Sequence, residues 1–285
     1  MEAFIEAHEP TIRLACFGAI FAAMVVWELA APRRPLTQSR TVRWSGNLGL
    51  VVINTVLVRL LFPVAAMGMA ALATERGWGL MNHLGWDWTI TVVVSVIALD
   101  LAIYLQHVLF HAIPVLWRLH RMHHADLNFD VTTGLRFHPI EIILSILIKM
   151  SIVVVVGPPV IAVLLFEVLL NGTSLFNHGN VRMPPALDNI LRWIVVTPDM
   201  HRVHHSVVPS EANSNFGFNL PWWDRLFGTY RDQPAAGQID MTIGIEVFRE
   251  PADQRIDRLL VQPFIGEAGA YPINRSAGSG DTEDG

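Results

Sequence analysis

The chain has 285 residues, of which 52% are hydrophobic and only 16% are charged. Soluble domains carry about 25% charged residues, so this composition excludes an ordinary soluble enzyme and predicts an integral membrane protein. The net charge of −5 with neutral histidine argues against broad electrostatic binding of nucleic acid, which requires a basic protein. The single cysteine, Cys16, excludes an internal disulfide, a cysteine-based zinc site and an iron–sulfur cluster held by this chain alone.

Apolar residues are grouped into stretches long enough to cross a bilayer, which takes about 20 helical residues. The first three stretches cover roughly residues 11–31, 48–73 and 88–113. Pro32-Arg33-Arg34-Pro35 follows the first stretch, where a signal peptide would have a cleavage pattern, so we interpret that stretch as a retained anchor helix.

The fourth stretch, roughly residues 140–171, is too long for a single crossing and is interrupted by Gly157-Pro158-Pro159. Proline ends a helix because it lacks the backbone N–H, so we predict two helices in a tight hairpin that crosses or re-enters the membrane. The expected fold is an all-α integral membrane protein with about four transmembrane helices, the last two forming this hairpin, and a helical cap. A soluble all-α protein with buried helices is the alternative, and the lengths of the stretches disfavour it.

The distribution of arginine predicts the orientation of these helices. Arginines are frequent after the first, third and last stretches, whereas the short loop 74–87 has only Arg76. By the positive-inside rule the arginine-rich segments face the cytoplasm. We therefore expect a multi-pass protein, of a bacterial inner membrane, with the N-terminus and the 74–87 loop outside and the cap inside.

Histidines form patterned clusters near the predicted cytoplasmic face. Ten of the 12 histidines lie between residues 107 and 205, in one HxxxH and two HxxHH patterns plus two single residues. Residues i and i+4 share one helix face, with i+3 beside them, so each pattern can direct two or three imidazoles at one point. Eight imidazoles suit two metals, and imidazole favours Fe, Zn, Cu or Ni. The eight are His107, His111, His120, His123, His124, His201, His204 and His205.

A polar stripe precedes the first pattern. Asp100, Tyr104, His107 and His111 are spaced by four, three and four residues, so they share a face of one helix. An aspartate inside a membrane helix is costly unless it has a partner. Asp100 or Tyr104 could accept a hydrogen bond from a ligand imidazole, and a bond that packs two helices together is an equal alternative.

These residues give the sequence its resemblance to the fatty acid hydroxylase/sterol desaturase superfamily of integral-membrane di-iron enzymes. The resemblance covers roughly residues 92–230 and includes the three histidine patterns in order. Residues 136–141 (RFHPIE) are similar to an RxHPxE segment of bacterial members, and 177–180 (NHGN) to an isolated histidine between the second and third patterns. Residues 222–230 (WWDRLFGTY) are similar to the closing segment.

The resemblance implies a catalytic domain at 89–232, in which two iron ions activate O2 to hydroxylate or desaturate a C–H bond of a sterol-like or fatty-acyl lipid. It makes the eight patterned histidines metal ligands and His178 a ninth. Some members have another histidine four residues earlier, where this chain has Ser174, so the ligand count stays open. Glu141 is expected beside the ligands, and His138 either joins them or bonds to backbone.

The remaining segments have simpler expectations. Residues 1–88 would hold the N-terminal transmembrane helices, 233–265 a C-terminal cytoplasmic segment, and 266–285, rich in Gly, Ser, Asp and Glu, a disordered tail. The cap aromatics are candidate walls of a lipid groove, or else cap core or an interfacial belt. They are Phe216, Phe218, Trp222 and Trp223.

The electrons would come from a separate protein of the ferredoxin or cytochrome type. The chain has neither a cysteine set for a cluster nor a GxGxxG pattern for a flavin or nicotinamide. The donor could dock on the arginines of the cap, which are Arg182, Arg192, Arg202 and Arg225.

Two other functions fit a histidine-rich membrane protein. A metal transporter or metal-binding protein would place ligands near the midplane or along a path, whereas these gather at one end. A membrane cytochrome b would use single histidines on paired helices, which leaves two HxxHH patterns unexplained.

Overall fold

The computed structural model describes residues 2–62 and 65–274, and within them the regular structure is helical. Eight helices make up the first two thirds of the chain: α1 (Glu2–Ala30), α2 (Arg40–Leu61), α3 (Ala65–Arg76), α4 (Met81–Leu84), α5 (Trp88–Ala112), α6 (Pro114–His124), α7 (Pro139–Val156) and α8 (Val160–Asn177). Six short helices follow: α9 (Pro185–Leu191), α10 (Pro198–His204), α11 (Pro209–Ala212), α12 (Trp222–Leu226), α13 (Gly237–Asp240) and α14 (Ile256–Leu259). The described part of the chain has extended pairing only as isolated bridges, Pro32 with Val181 and Ser206 with Ile243.

Five helical stretches are long and apolar enough to cross a membrane, where the sequence analysis expected about four. They are His8–Ala30, Arg40–Leu84, Trp88–Ala112, Pro139–Val156 and Val160–Asn177. The difference arises at the fourth apolar stretch, because each half of the hairpin forms an 18-residue helix.

Glycines allow the hairpin to pack against the loop between α3 and α4. Gly157 ends α7 in the left-handed region (φ 66°), and Gly79 in the facing loop also has a positive φ of 89°. A Cβ atom on Gly79 would collide with the backbone of Gly157. Leu80 N–H donates to the Val155 carbonyl at 2.9 Å, so the predicted Gly-Pro-Pro break also anchors the preceding loop.

Buried charges fasten α1 and α2 to the loops around the histidines. Arg43 of α2 is fully buried, and it donates to Asp126 and Asp130 at 2.6 Å each. Glu28 of α1 accepts the backbone N–H groups of Val131 and Asn180 at 2.7 Å each. These bonds fix the segments that follow His124 and His178.

Residues 266–274, which the sequence analysis assigned to a disordered tail, pack against the helices instead. Tyr271 is buried and stacks on Trp117 with ring centroids 5.3 Å apart. The Ile273 and Asn274 N–H groups donate to the carbonyls of His111 and Ala112. One aromatic residue in a polar segment gives this stretch its anchor, and the rest of that tail, 275–285, lies outside the described residues.

Candidate metal centre

Nine histidines form two adjacent groups, and within each group the candidate ligand atoms all lie within 4.8 Å of one another. All nine side chains are buried. The first group is His107, His111, His120, His124 and His204, and the second is His123, His178, His201 and His205.

Each HxxHH pattern supplies both groups. In the first pattern His120 and His124, four residues apart, belong to the first group, while His123 belongs to the second. In the other pattern His201 and His205 belong to the second group and His204 to the first. Adjacent helical residues point about 100° apart, so consecutive histidines such as His123 and His124 face different centres. The spacing predicted convergence, and the fold shows how the residues are divided.

The nitrogens within a group face one another at distances that suit a shared metal ion. In the first group Nε2 of His107 is 3.1 Å from Nε2 of His120. In the second group Nε2 of His178 is 3.2 Å from Nε2 of His123 and 3.1 Å from Nε2 of His201. Two nitrogens that each lie about 2.1 Å from one ion at a right angle are about 3.0 Å apart.

Acceptors on the far side of five rings orient the imidazoles. Each Nδ1–H donates outward, which leaves Nε2 with its lone pair toward the group. The pairs are His107 with the Phe216 carbonyl (2.8 Å), His111 with Asn213 Oδ1 (3.1 Å), His120 with Glu141 Oε1 (2.6 Å), His178 with the Ser174 carbonyl (2.8 Å) and His204 with the Ser214 carbonyl (2.8 Å).

Several buried nitrogens are left for a metal. Within the described residues, Nε2 of His204 and both ring nitrogens of His205 have no hydrogen-bond partner. Buried polar atoms without a partner are costly and rare. A metal bound by these nitrogens would remove that cost, so the donor set fits imidazole-bound iron.

Burial keeps six of these imidazoles neutral. Desolvation lowers the pKa of His178 to about 3. Desolvation also holds the pKa values of five other ligand candidates well below the usual range, and neighbouring imidazoles add to the effect. They are His123 and His124 at the end of α6, His201 and His204 in α10, and His205 directly after α10. Only neutral imidazole carries the lone pair that a metal needs.

Five phenylalanines pack on the histidine rings, among them Phe110, whose ring centroid is 6.1 Å from that of His120. Phe216 and Phe218 lie 5.5 and 5.2 Å from His107, measured between ring centroids. Phe137 stacks on His123 at 4.6 Å, and Phe129 on His178 at 5.6 Å. Sequence reasoning missed Phe129 and Phe137, because no spacing connects either one to the histidine patterns.

Asp100 and Tyr104 support a loop rather than the imidazoles. Asp100 accepts hydrogen bonds from Asn219 Nδ2 and Trp223 Nε1 at 2.8 Å each, and Tyr104 shares one with Thr229 at 2.9 Å. Neither side chain bonds to a histidine in the described residues, and of the two alternatives left open for Asp100 the bond between helices is the one observed, from Trp223 of α12. Asp100 lies about two helical turns before His107, too far along the helix to reach that ring.

His138 and Glu141, three residues apart at the start of α7, have different positions. His138 Nδ1 accepts the Ile140 N–H at the helix N-terminus and Nε2 donates to the Leu260 carbonyl. His138 is therefore outside both groups, and of its two expected roles the backbone bond is the one observed. Glu141 is buried and accepts from His120, as expected of a residue beside the ligands.

Most of the proposed docking arginines have local partners. Arg192 pairs with Asp188 and Asp232, Arg202 with Asp199, and the Arg225 guanidinium lies 3.7 Å above the centroid of Trp193. Arg182 alone of the four is exposed. The i,i+4 spacing of Asp188 and Arg192 and the i,i+3 spacing of Asp199 and Arg202 are patterns that indicate such pairs. Asp232 lies 40 positions from Arg192, and local spacing does not indicate that pair.

Comparison with known proteins agrees with the geometry. The fatty acid hydroxylase family matches residues 92–229. The chain is 32% identical to ornithine lipid hydroxylase OlsE of Rhizobium tropici over 90% of its own length and 78% of that protein. It is 28% identical to alkylglycerol monooxygenase of Xenopus tropicalis over 76% of its own length and 49% of that protein. It is 25% identical to the human alkylglycerol monooxygenase over 58% of its own length and 36% of the human protein. No solved structure matches the chain.

The chain therefore belongs to the fatty acid hydroxylase/sterol desaturase superfamily. It is an oxidoreductase of the O2-dependent lipid hydroxylase class, and its apolar helices are those of a multi-pass membrane protein.

Proposed function

We propose that this protein is a non-haem di-iron enzyme that uses O2 and two external electrons to hydroxylate a C–H bond of a membrane lipid. The observation that carries the proposal is the arrangement of nine buried histidines in groups of five and four. Two neighbouring imidazole sets with outward Nδ1 acceptors match the ligation of two metals rather than one.

When bound, the two irons would supply the activation of O2 and the oxidation of the substrate. The overall reaction converts R–H, O2, two electrons and two protons into R–OH and H2O. This chain would hold both ions through its imidazoles, and the acceptors Glu141, Asn213 and the carbonyl of Phe216 would fix the rings. The phenylalanines on the rings would exclude water and leave an apolar approach for a hydrocarbon chain.

The substrate we favour is a polar lipid with long acyl or alkyl chains rather than a sterol. The relatives described above are named for an ornithine lipid and for alkylglycerols, and both are chain-bearing lipids with polar heads. Both names also denote oxygen insertion, which favours hydroxylation over desaturation.

The orientation and the electron source complete the proposal. The arginine-rich segments support a site on the cytoplasmic side, in a bacterial inner membrane. Cys16 is the sole cysteine, which supports a separate ferredoxin- or cytochrome-type donor.

Comparative lipid mass spectrometry of cells with and without the gene tests this function. Cells that express the chain should accumulate lipids heavier by one oxygen, and His123→Ala/His124→Ala should abolish them. His83→Ala is the matched control, because His83 is exposed and outside both groups, and it should keep the product. Lipids lighter by two hydrogens would point to desaturation, and an unchanged lipid profile together with metal flux in proteoliposomes would point to transport.

A further inference from the structure

Two short cap helices, α9 and α12, and the residues directly after them carry an exposed apolar surface, which we call the α9–α12 surface. Its members are large hydrophobic side chains that are 45% to 69% exposed: Ile190, Trp193, Ile194, Trp222, Leu226 and Phe227. A contiguous apolar surface of this kind on a folded protein marks a contact with a partner or a membrane.

Direct contacts join the two helices into one surface. Trp222 Nε1 donates to the Trp193 carbonyl at 2.8 Å. The Arg225 guanidinium stacks between the rings of Trp193 and Tyr230, at 3.7 and 3.9 Å. The cation at the centre of the surface is thus covered by aromatic rings, so the surface presents mainly apolar atoms.

The α9–α12 surface lies alongside the membrane-crossing helices, not beyond their ends. Trp223 donates to Asp100, which is near the middle of the 25-residue helix α5. Phe227 stacks on Tyr104 of α5 with centroids 5.5 Å apart. Asn219, in the loop before α12, bonds to Thr173 of α8, one turn before that helix ends.

Exposed apolar side chains also lie on the two helices that the cap contacts. Leu105 of α5 is 51% exposed and Leu169 of α8 is 48% exposed, and both helices are candidate membrane spans. In a bilayer crossed by α5 and α8 these exposed side chains would face acyl chains, and the parts of the cap that contact the same helices would meet the same surroundings. Tryptophan beside aliphatic residues and an arginine is also the composition of helices at a membrane interface.

We propose that the α9–α12 surface is a membrane-contact surface that inserts into the bilayer beside α5 and α8, in addition to the five candidate membrane spans. Its occupant is phospholipid, not a second copy of the chain or an electron-donor protein. The surface is connected to the histidines by residues 216–221, of which Phe218 packs on His107. The bilayer then begins one loop away from the candidate metal centre.

Environment-sensitive fluorescence in phospholipid vesicles tests the proposal. On a Cys16→Ser background, the fluorophore NBD is attached at Ile190→Cys or Leu226→Cys, one in each helix. Val247→Cys is the matched control, an exposed apolar residue with exposed Glu246 and Glu250 nearby. Leu169→Cys serves as the bilayer reference. Unchanged iron content and a single elution peak show that each labelled variant is folded.

We expect blue-shifted NBD emission at positions 190 and 226. Nitroxide-labelled lipid should quench this fluorescence to the extent seen at position 169. Aqueous iodide should quench it at least threefold less than it quenches the fluorescence at position 247. Iodide quenching equal to that at 247 would place the surface in water and overturn the proposal. Protection from both quenchers would show a protein covering the surface and would overturn it as well. The readout does not depend on catalysis, so it stands or fails separately from the proposed function.

Discussion

Removal of the Glu141 carboxylate should weaken metal binding in the first histidine group only. Glu141 is 4% exposed, and its Oε1 is 2.6 Å from Nδ1 of His120. In Glu141→Ala this buried Nδ1–H loses its acceptor and His120 loses the contact that sets its tautomer. Replacing such supporting partners lowers metal affinity about 10- to 100-fold, which is about 1.4 to 2.7 kcal/mol.

The assay is iron retention by purified, iron-loaded protein in a series of chelator concentrations. Glu141→Ala should release about one of the two proposed irons at roughly 10- to 100-fold lower chelator concentration than the parent chain. Glu141→Gln keeps an acceptor oxygen without the charge, so its loss should be smaller. Glu246→Gln, at an exposed carboxylate, should behave as the parent. If Glu141→Ala and the parent release iron identically, the carboxylate does not support His120 as argued.

Three further changes test the fold that holds the site. Arg43→Met leaves Asp126 and Asp130 buried without their cation, so it should cost about 3–5 kcal/mol of stability and lower the Tm. Adding Asp126→Asn and Asp130→Asn should recover part of that loss. An unchanged Tm in Arg43→Met would contradict the buried pairing. Gly157→Ala places a Cβ at a positive φ in close contact with the 78–79 backbone, so it should lower the Tm by several degrees, whereas Gly18→Ala, which meets no neighbour, should not. Tyr271→Ala removes the ring stacked on Trp117 and should cost about 3–5 kcal/mol; a loss below 1 kcal/mol in a denaturant titration would show that residues 266–274 are not anchored there.

Local spacing was sufficient to predict the histidine cluster and the hairpin. Histidines three and four residues apart converge on any helix, and a Gly-Pro-Pro sequence ends a helix in any context. The family resemblance added His178, and the structure brings this residue to 3.1 Å from His201.

Contacts between distant segments could not be predicted in this way. The pairing of Arg43 with Asp126 joins residues 83 positions apart, and the packing of Tyr271 on Trp117 joins the C-terminal segment to α6. Asp100 was interpreted from its own helix, whereas its partners come from a loop about 120 residues later. Nothing in the local pattern of either segment indicates which distant segment it will meet.

The number of irons held by each histidine group tests the central claim most directly. We predict two irons per purified chain by elemental analysis, and about one in each of two single variants, His124→Ala in the first group and His205→Ala in the second. His83→Ala should keep two. One iron or none in the parent chain, or two irons retained in both His124→Ala and His205→Ala, would contradict the division of nine histidines between two metals.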